Sequence, residues 1–214
     1  MFYTVARYVV NFIFWLFNGR YHVTGRQFLP SQTNYILVGP HRALWDMIYF
    51  ALAAWPKKFT FMAKKELFKN PILRWILVNA NAFSVDRENP GPSAIKTPVH
   101  RLKDSHLSLI MFPTGSRHSQ EMKGGAIMIS KLARVPLVPV IYQGPVTLKD
   151  FFNPFKRGQV HIAFGEPIQL GKKQRVDHAT MDMLDDQLQT AFTKLDQHVN
   201  PNWVYVDPHP EKAK

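Results

Sequence analysis

The stretch YILVGPHRALWDMIYFALAA, residues 35–54, decides the fold. Its first four residues form an unbroken apolar run, the pattern of a buried strand. Pro40 cannot donate to a strand ladder, and with Gly39 it turns the chain. Residues 43–54 then read as a helix, ended by Pro56. A buried strand that passes through a short turn into a helix is the opening of a strand–helix–strand unit.

The pattern recurs along the chain. Residues 59–64, 82–87, 107–113, 136–142 and 159–165 read as strands. Residues 70–81 read as a helix with Asn70 as N-cap and Pro71 at the first helical position. Residues 92–103 read as a helix weakened by Pro98, and 124–134 as another. Leu184, Leu188, Ala191, Leu195 and Val199 recur every three or four residues, one face of an amphipathic helix over 177–199. Strands alternating with helices predict an α/β fold, with a mixed, largely parallel sheet flanked by helices. The 214 residues are read as an N-terminal helical segment 1–20, one α/β domain over 21–200 and a loose tail 201–214.

The opening stretch also carries titratable side chains. On a regular helix, residues five apart point roughly 140° away from each other. His41 and Asp46 therefore meet only if His41 lies in the turn and Asp46 in the first helical turn. That layout puts the pair at the carboxyl end of a strand, where open α/β sheets bind ligands. An aspartate that accepts from one imidazole nitrogen leaves the other free as a base. The same two residues equally suit a histidine bonded within a turn and an aspartate favoured by the helix dipole. From this stretch alone both readings stand.

Composition narrows the partners. The net charge is +12, and there is no cysteine, which excludes disulfides and thiolate metal sites. Residues 1–135 hold 18 Lys and Arg against 6 Asp and Glu, whereas 136–214 hold 9 against 9. The excess charge lies in the first two thirds of the chain, a field that attracts nucleic acid, anionic lipid or phosphorylated substrates. The N-terminus MFYTVARYVVNFIFWLFNGR, residues 1–20, has an apolar run over 8–17 broken only by Asn11. That run is half the roughly 20 residues needed to span a bilayer. It is rich in aromatics, is flanked by Arg7 and Arg20, and lacks a signal-peptide cleavage pattern. A helix lying in the membrane interface and a helix packed on the protein's own core both fit. The nine histidines have no spacing typical of a hydrolytic metal site.

Two further stretches follow predicted strands. VDREN (85–89) supplies Arg87, and FPTGSRHS (112–119) supplies Gly115, Ser116 and Arg117. A glycine and a serine let backbone amides approach an anion, and an arginine can hold a phosphate with two parallel hydrogen bonds. Each arginine alone is equally a surface ion pair.

HRALWD (41–46), SVDREN (84–89), FPTGSR (112–117) and VPLVPV (135–140) together resemble the four motif blocks of the glycerolipid acyltransferases, specifically the bacterial 1-acyl-glycerol-3-phosphate acyltransferases. The first is similar to that family's H-x4-D block, and the others follow in its order and spacing. The resemblance covers about residues 1–170. It implies the family's fold and acyl transfer from a thioester, carried by acyl carrier protein or coenzyme A, to the sn-2 hydroxyl of lysophosphatidic acid, making phosphatidic acid. His41 would be the base and Asp46 its orienting partner. Arg87, Arg117, Gly115 and Ser116 would bind the glycerol phosphate, joined by a lysine of AKKELF (63–68), Lys65 in preference to Lys64. Backbone amides near the fourth block are a candidate oxyanion hole. No cofactor or metal is implied. The partners would be lysophosphatidic acid, the acyl carrier and an anionic membrane surface, with the enzyme peripheral or monotopic on the cytoplasmic face of the cell membrane. Thr114 stands where the family usually has glutamate, which leaves open acylation of another lysophospholipid. A rival from another class is a basic nucleic-acid-binding module, but the chain has no RNP, KH or helix-turn-helix signature.

Overall fold

The computed structural model describes residues 2–86, 89–114, 124–171 and 176–208. Within them the strands are β1 (His22–Thr24), β2 (Ile36–Val38), β3 (Lys58–Lys64), β4 (Ala82–Val85), β5 (Leu107–Met111), β6 (Leu137–Gln143) and β7 (His161–Phe164). They form one sheet in the order β1-β7-β6-β2-β5-β3-β4. From β6 to β4 every neighbour is parallel, and β2 sits centrally with Val38 level with Met111 of β5 and Pro139 of β6. The pair β6–β7 is antiparallel, and β1 runs parallel to β7. The sheet is thus the mixed, largely parallel one expected.

The helices are α1 (Phe2–Asn18), α2 (Asp46–Ala53), α3 (Pro71–Asn79), α4 (Ser93–Asp104), α5 (Gly125–Ala133), α6 (Leu148–Phe151) and α7 (His178–Val199). Successive residues of a strand point to opposite faces, so both faces need cover. Tyr35, Leu37, Val138, Val140 and Tyr142 face the layer that holds Phe14 of α1, Tyr49 and Phe50 of α2, and Phe151 of α6. Ile36, Val38, Leu137 and Ile141 face the other layer, with Ile127 and Ile129 of α5 and Leu184, Leu188 and Phe192 of α7. Leu184 and Leu188 of α7 are buried as its periodicity predicted, with Leu195 and Val199 packed against the same layer, and Phe192 takes the buried place expected for Ala191.

Local chemistry explains most boundaries. The Asn70 side chain accepts from the amides of Ile72 and Leu73, and Pro71 opens α3. Pro98 stays inside α4 and is buried, so packing against the core outweighs the hydrogen bond it removes. The helix expected from residue 43 starts later, at Asp46. Ala43 instead donates its amide to the Asp46 carboxylate, which holds 43–45 in a turn. Two short elements, β1 and α6, carry no periodic signal and escape a pattern-based reading.

Helix α1 uses one face for the core. Phe14 packs against Tyr49 at 4.8 Å and Phe151 at 5.3 Å between ring centroids. Its other face leaves Tyr8, Phe12 and Trp15 exposed. Helix α3 exposes Ile72, Trp75 and Val78, and the rings of Phe2 and Trp75 meet edge to face at 5.0 Å, so the two apolar faces adjoin. Among the described residues no helix is long and apolar enough to cross a membrane.

Candidate active site

The site begins where β2 stops. Gly39 runs so close to β6 that a Cβ there would lie 2.3 Å from the Val140 carbonyl oxygen, so only glycine lets the chain pass. Pro40 then ends strand pairing and delivers His41 into the turn before α2. Nδ1 of His41 lies 2.8 Å from Oδ2 of Asp46, the first residue of α2. The expected layout, histidine in the turn and aspartate in the first helical turn, is the one observed.

Asp46 is fully buried, and its carboxylate is fully engaged. Oδ2 also accepts from the amides of Arg42 at 2.8 Å and Ala43 at 3.1 Å, and Oδ1 from the amide of Met47 at 2.7 Å. A buried carboxylate with these donors costs far less than an unpaired one. A carboxylate only accepts, so Nδ1 of His41 carries the hydrogen and Nε2 keeps its lone pair. The same aspartate therefore shapes the turn and selects the imidazole tautomer.

A second element fixes the ring plane. Phe112, the first residue after β5, stacks on His41 with centroids 4.1 Å apart and planes 16° from parallel. Pro113 and Thr114 follow it, and Thr114 is buried. Beside Phe112 lies an apolar cleft of about 230 Å³, lined in part by Met47, Phe61, Ile95, Ile110, Met111 and Phe112. Below the turn, Trp45 donates to the Tyr142 hydroxyl at 2.9 Å, which in turn donates to the Pro145 carbonyl. Burial pushes the Tyr142 phenol well above its ordinary value, so it stays protonated.

Lys65 immediately follows β3, at the same carboxyl edge of the sheet. It forms an ion pair with Asp86, which follows β4. Four of the residues expected to bind phosphate, Arg87, Gly115, Ser116 and Arg117, lie outside the described residues. The fourth block runs into β6. Its residues Leu137 and Val138 pair with Ile36 and Leu37, so it enters β6 ahead of the level at which His41 emerges. Within it the Val135 amide donates to the Ser130 carbonyl and the Leu137 amide to that of Ile168, while Pro136 and Pro139 have no N–H. Among the described residues no three His, Asp or Glu side chains gather as metal ligands.

Two contacts of the site were not singled out by the sequence reading. Phe112 stood inside the third block, but its place on the His41 ring follows from β2 pairing with β5, 73 residues apart at Tyr35 and Ser108. Arg42 stood inside the first block, and its side-chain partners come from the far end of the chain.

The chain is similar to known acyltransferases. The family model described as Acyltransferase matches residues 20–143, which include the His41–Asp46 turn and β6. The 1-acyl-sn-glycerol-3-phosphate acyltransferase of Streptococcus pneumoniae is 44% identical over 96% of this chain and 81% of its own length. That of Bacillus subtilis is 36% identical over 84% of this chain and 92% of its own. The crystal structure of the 1-acyl-sn-glycerophosphate acyltransferase PlsC of Thermotoga maritima has the same fold, with a TM-score of 0.71 over 94% of this chain and 81% of that one at 22% identity. The chain belongs to the acyltransferase family. It is an enzyme, as the resemblance of its four motif blocks implied.

Proposed function

We propose that this enzyme transfers a fatty acyl group from an acyl thioester to the sn-2 hydroxyl of 1-acyl-glycerol-3-phosphate, making phosphatidic acid. The observation that carries this reading is the His41–Asp46 pair, with Nδ1 held at 2.8 Å and Nε2 left to accept a proton. Nε2 takes the proton of the acceptor hydroxyl as its oxygen attacks the thioester carbonyl carbon. The tetrahedral intermediate collapses, the C–S bond breaks, and the imidazolium returns the proton to the leaving thiolate. No enzyme nucleophile is needed. The buried Asp46 carboxylate favours the imidazolium that forms along the way.

The acceptor is named on the relatives, which are called 1-acyl-sn-glycerol-3-phosphate acyltransferases. Arg87, Arg117, Gly115, Ser116 and Lys65 are the candidate phosphate ligands, and Lys65 follows β3 at the carboxyl edge of the sheet. The apolar cleft beside Phe112 suits an acyl chain, because it is lined by aliphatic and aromatic side chains, among them the phenyl ring that stacks on His41. The exposed apolar faces of α1 and α3 suit a bilayer surface, and the +12 charge suits anionic lipid. On this reading the enzyme sits on the cytoplasmic face of the cell membrane, where acyl carrier protein or acyl coenzyme A arrives from solution.

The test is product formation by purified protein in detergent, with lysophosphatidic acid and either acyl carrier protein or coenzyme A thioesters. Phosphatidic acid from the wild type and almost none from His41→Ala is the expected result, and the faster thioester names the donor. Equal rates from both proteins would remove His41 from the mechanism. Product only from a different lysophospholipid would move the acceptor, with Thr114 as the first residue to exchange.

A further inference from the structure

Arg42 follows the base in sequence and joins it to the far end of the chain. Its amide donates to Oδ2 of Asp46 at 2.8 Å. Its side chain is buried, with 8% of the residue exposed, and reaches α7. Nη1 donates to Oδ1 of Asp196 at 2.8 Å and Nη2 to Oδ2 at 2.5 Å, a two-pronged pair. Nη1 also donates to the Tyr142 carbonyl, near the carboxyl end of β6, at 2.9 Å. Asp196 is itself held, because Gln143 donates to its Oδ1 at 2.9 Å and to its main-chain carbonyl at 3.1 Å. The Trp203 ring covers the guanidinium, with its centroid 4.9 Å from Cζ.

A buried guanidinium forked onto a carboxylate has one favourable geometry, unlike a lysine on a surface. Arg42 therefore fixes the turn from both sides: its amide from the catalytic carboxylate, its side chain from α7 and β6. Asp196 and Trp203 lie beyond residues 20–143, the part matched by the family model, so this support comes from the remainder of the chain.

We infer that Asp196 is a positioning residue, which through Arg42 sets the place of His41 for proton transfer. The inference rests on the proposed reaction. The Asp196 carboxylate is taken up by Arg42 and Gln143, so its loss is expected to act on kcat and not on substrate binding. A base misplaced by about 1 Å loses roughly 100-fold in rate.

The experiment is steady-state kinetics of the full chain in detergent, with lysophosphatidic acid and the thioester the wild type prefers. Asp196→Asn keeps the size but not the charge, and Arg42→Lys keeps the charge but not the fork. Each is expected to lower kcat about 10- to 100-fold with both KM values within about twofold, and with cooperative thermal unfolding retained. Asp196→Glu is expected to recover most of the rate, and the double variant to be no slower than the slower single one. Trp203→Leu, which leaves the ion pair intact, tests the cap with less risk to folding and is expected to lower kcat to a smaller degree at unchanged KM. Unchanged kcat in Asp196→Asn and Arg42→Lys would overturn the inference, and so would activity lost only in proportion to folded protein. A wild type that forms no acylated product would overturn it together with the proposed reaction, whereas active wild type beside unaffected variants would overturn it alone.

Discussion

His41 lies flat on Phe112, ring centroid to ring centroid 4.1 Å, so β5 as well as α2 decides where the imidazole faces. The Asp46 bond fixes one nitrogen but leaves the ring free to swing about it. The stacked phenyl removes that freedom. Replacing Phe112 by leucine keeps an apolar neighbour but takes away the flat platform. We expect kcat to fall about 10- to 100-fold. Phe112→Tyr, which keeps the platform, should stay close to wild type. Initial rates at saturating substrates check both, and a leucine variant as fast as wild type would refute the role of the stack.

Asp46 has two tasks that different substitutions separate. Asp46→Asn keeps an oxygen for the Arg42 and Ala43 amides, so the turn should fold. That same oxygen still faces Nδ1 of His41, but the negative charge that favours the imidazolium is gone, and the new NH2 group faces the Met47 amide in place of Oδ1. The rate should drop on the order of 10³- to 10⁴-fold, as when the buried aspartate of a catalytic triad is amidated. Asp46→Ala leaves several buried amides without acceptors and should also destabilise the protein by about 2–4 kcal/mol. Thermal unfolding beside the rate assay distinguishes the two. An asparagine variant with near-normal kcat would show that the carboxylate only shapes the turn.

The sequence made the central features legible for a local reason. β2, its turn and the start of α2 are contiguous, and the one geometry that lets His41 reach Asp46 follows from helical pitch alone. The helices announced themselves through caps and periodicity, as Asn70 and the Leu184–Leu188 face illustrate. What stayed hidden depends on pairs far apart in sequence. Phe112 reaches His41 only because β5 lies beside β2, and Asp196 reaches Arg42 across 154 residues. The fourth block was legible as a strand from its apolar run, and it enters β6 at Leu137. Three-residue β1 is set by its pairing with β7 and carries no pattern of its own.

That edge pairing has a consequence for acid stability. The rings of His22 and His161 stack at 4.7 Å, where β1 meets β7. Burial, and then the neighbouring His22, hold the His161 pKa below its ordinary 6.5. The unfolded chain therefore takes up a proton there that the folded chain resists. Stability is at its full value above about pH 6.5 and declines as the pH falls through that point towards the lower folded value. The unfolding midpoint should drop between about pH 7.5 and 5.5, and less steeply in His161→Gln. Equal slopes in the two proteins would mean that this pair contributes nothing to the acid limb.

The exposed apolar faces make the last prediction, and it concerns two helices. Phe12 and Trp15 of α1 and Trp75 of α3 are all more than 45% exposed, and the Phe2–Trp75 contact joins the faces that carry them. Aromatics this exposed gain only part of their burial from packing in the monomer, whereas a bilayer interface removes the remaining surface from water. On the proposed membrane attachment, Trp15→Glu and Trp75→Glu should each weaken sedimentation with anionic vesicles, the double variant more than either. Since each ring is solvent-exposed, the unfolding midpoint should hardly move. Activity on a short-chain, water-dispersed acceptor should be retained while activity on acceptor embedded in vesicles falls. If Trp75→Glu bound vesicles as well as wild type while Trp15→Glu did not, α1 alone would carry the attachment. If neither variant lost binding, the apolar faces would need a different occupant.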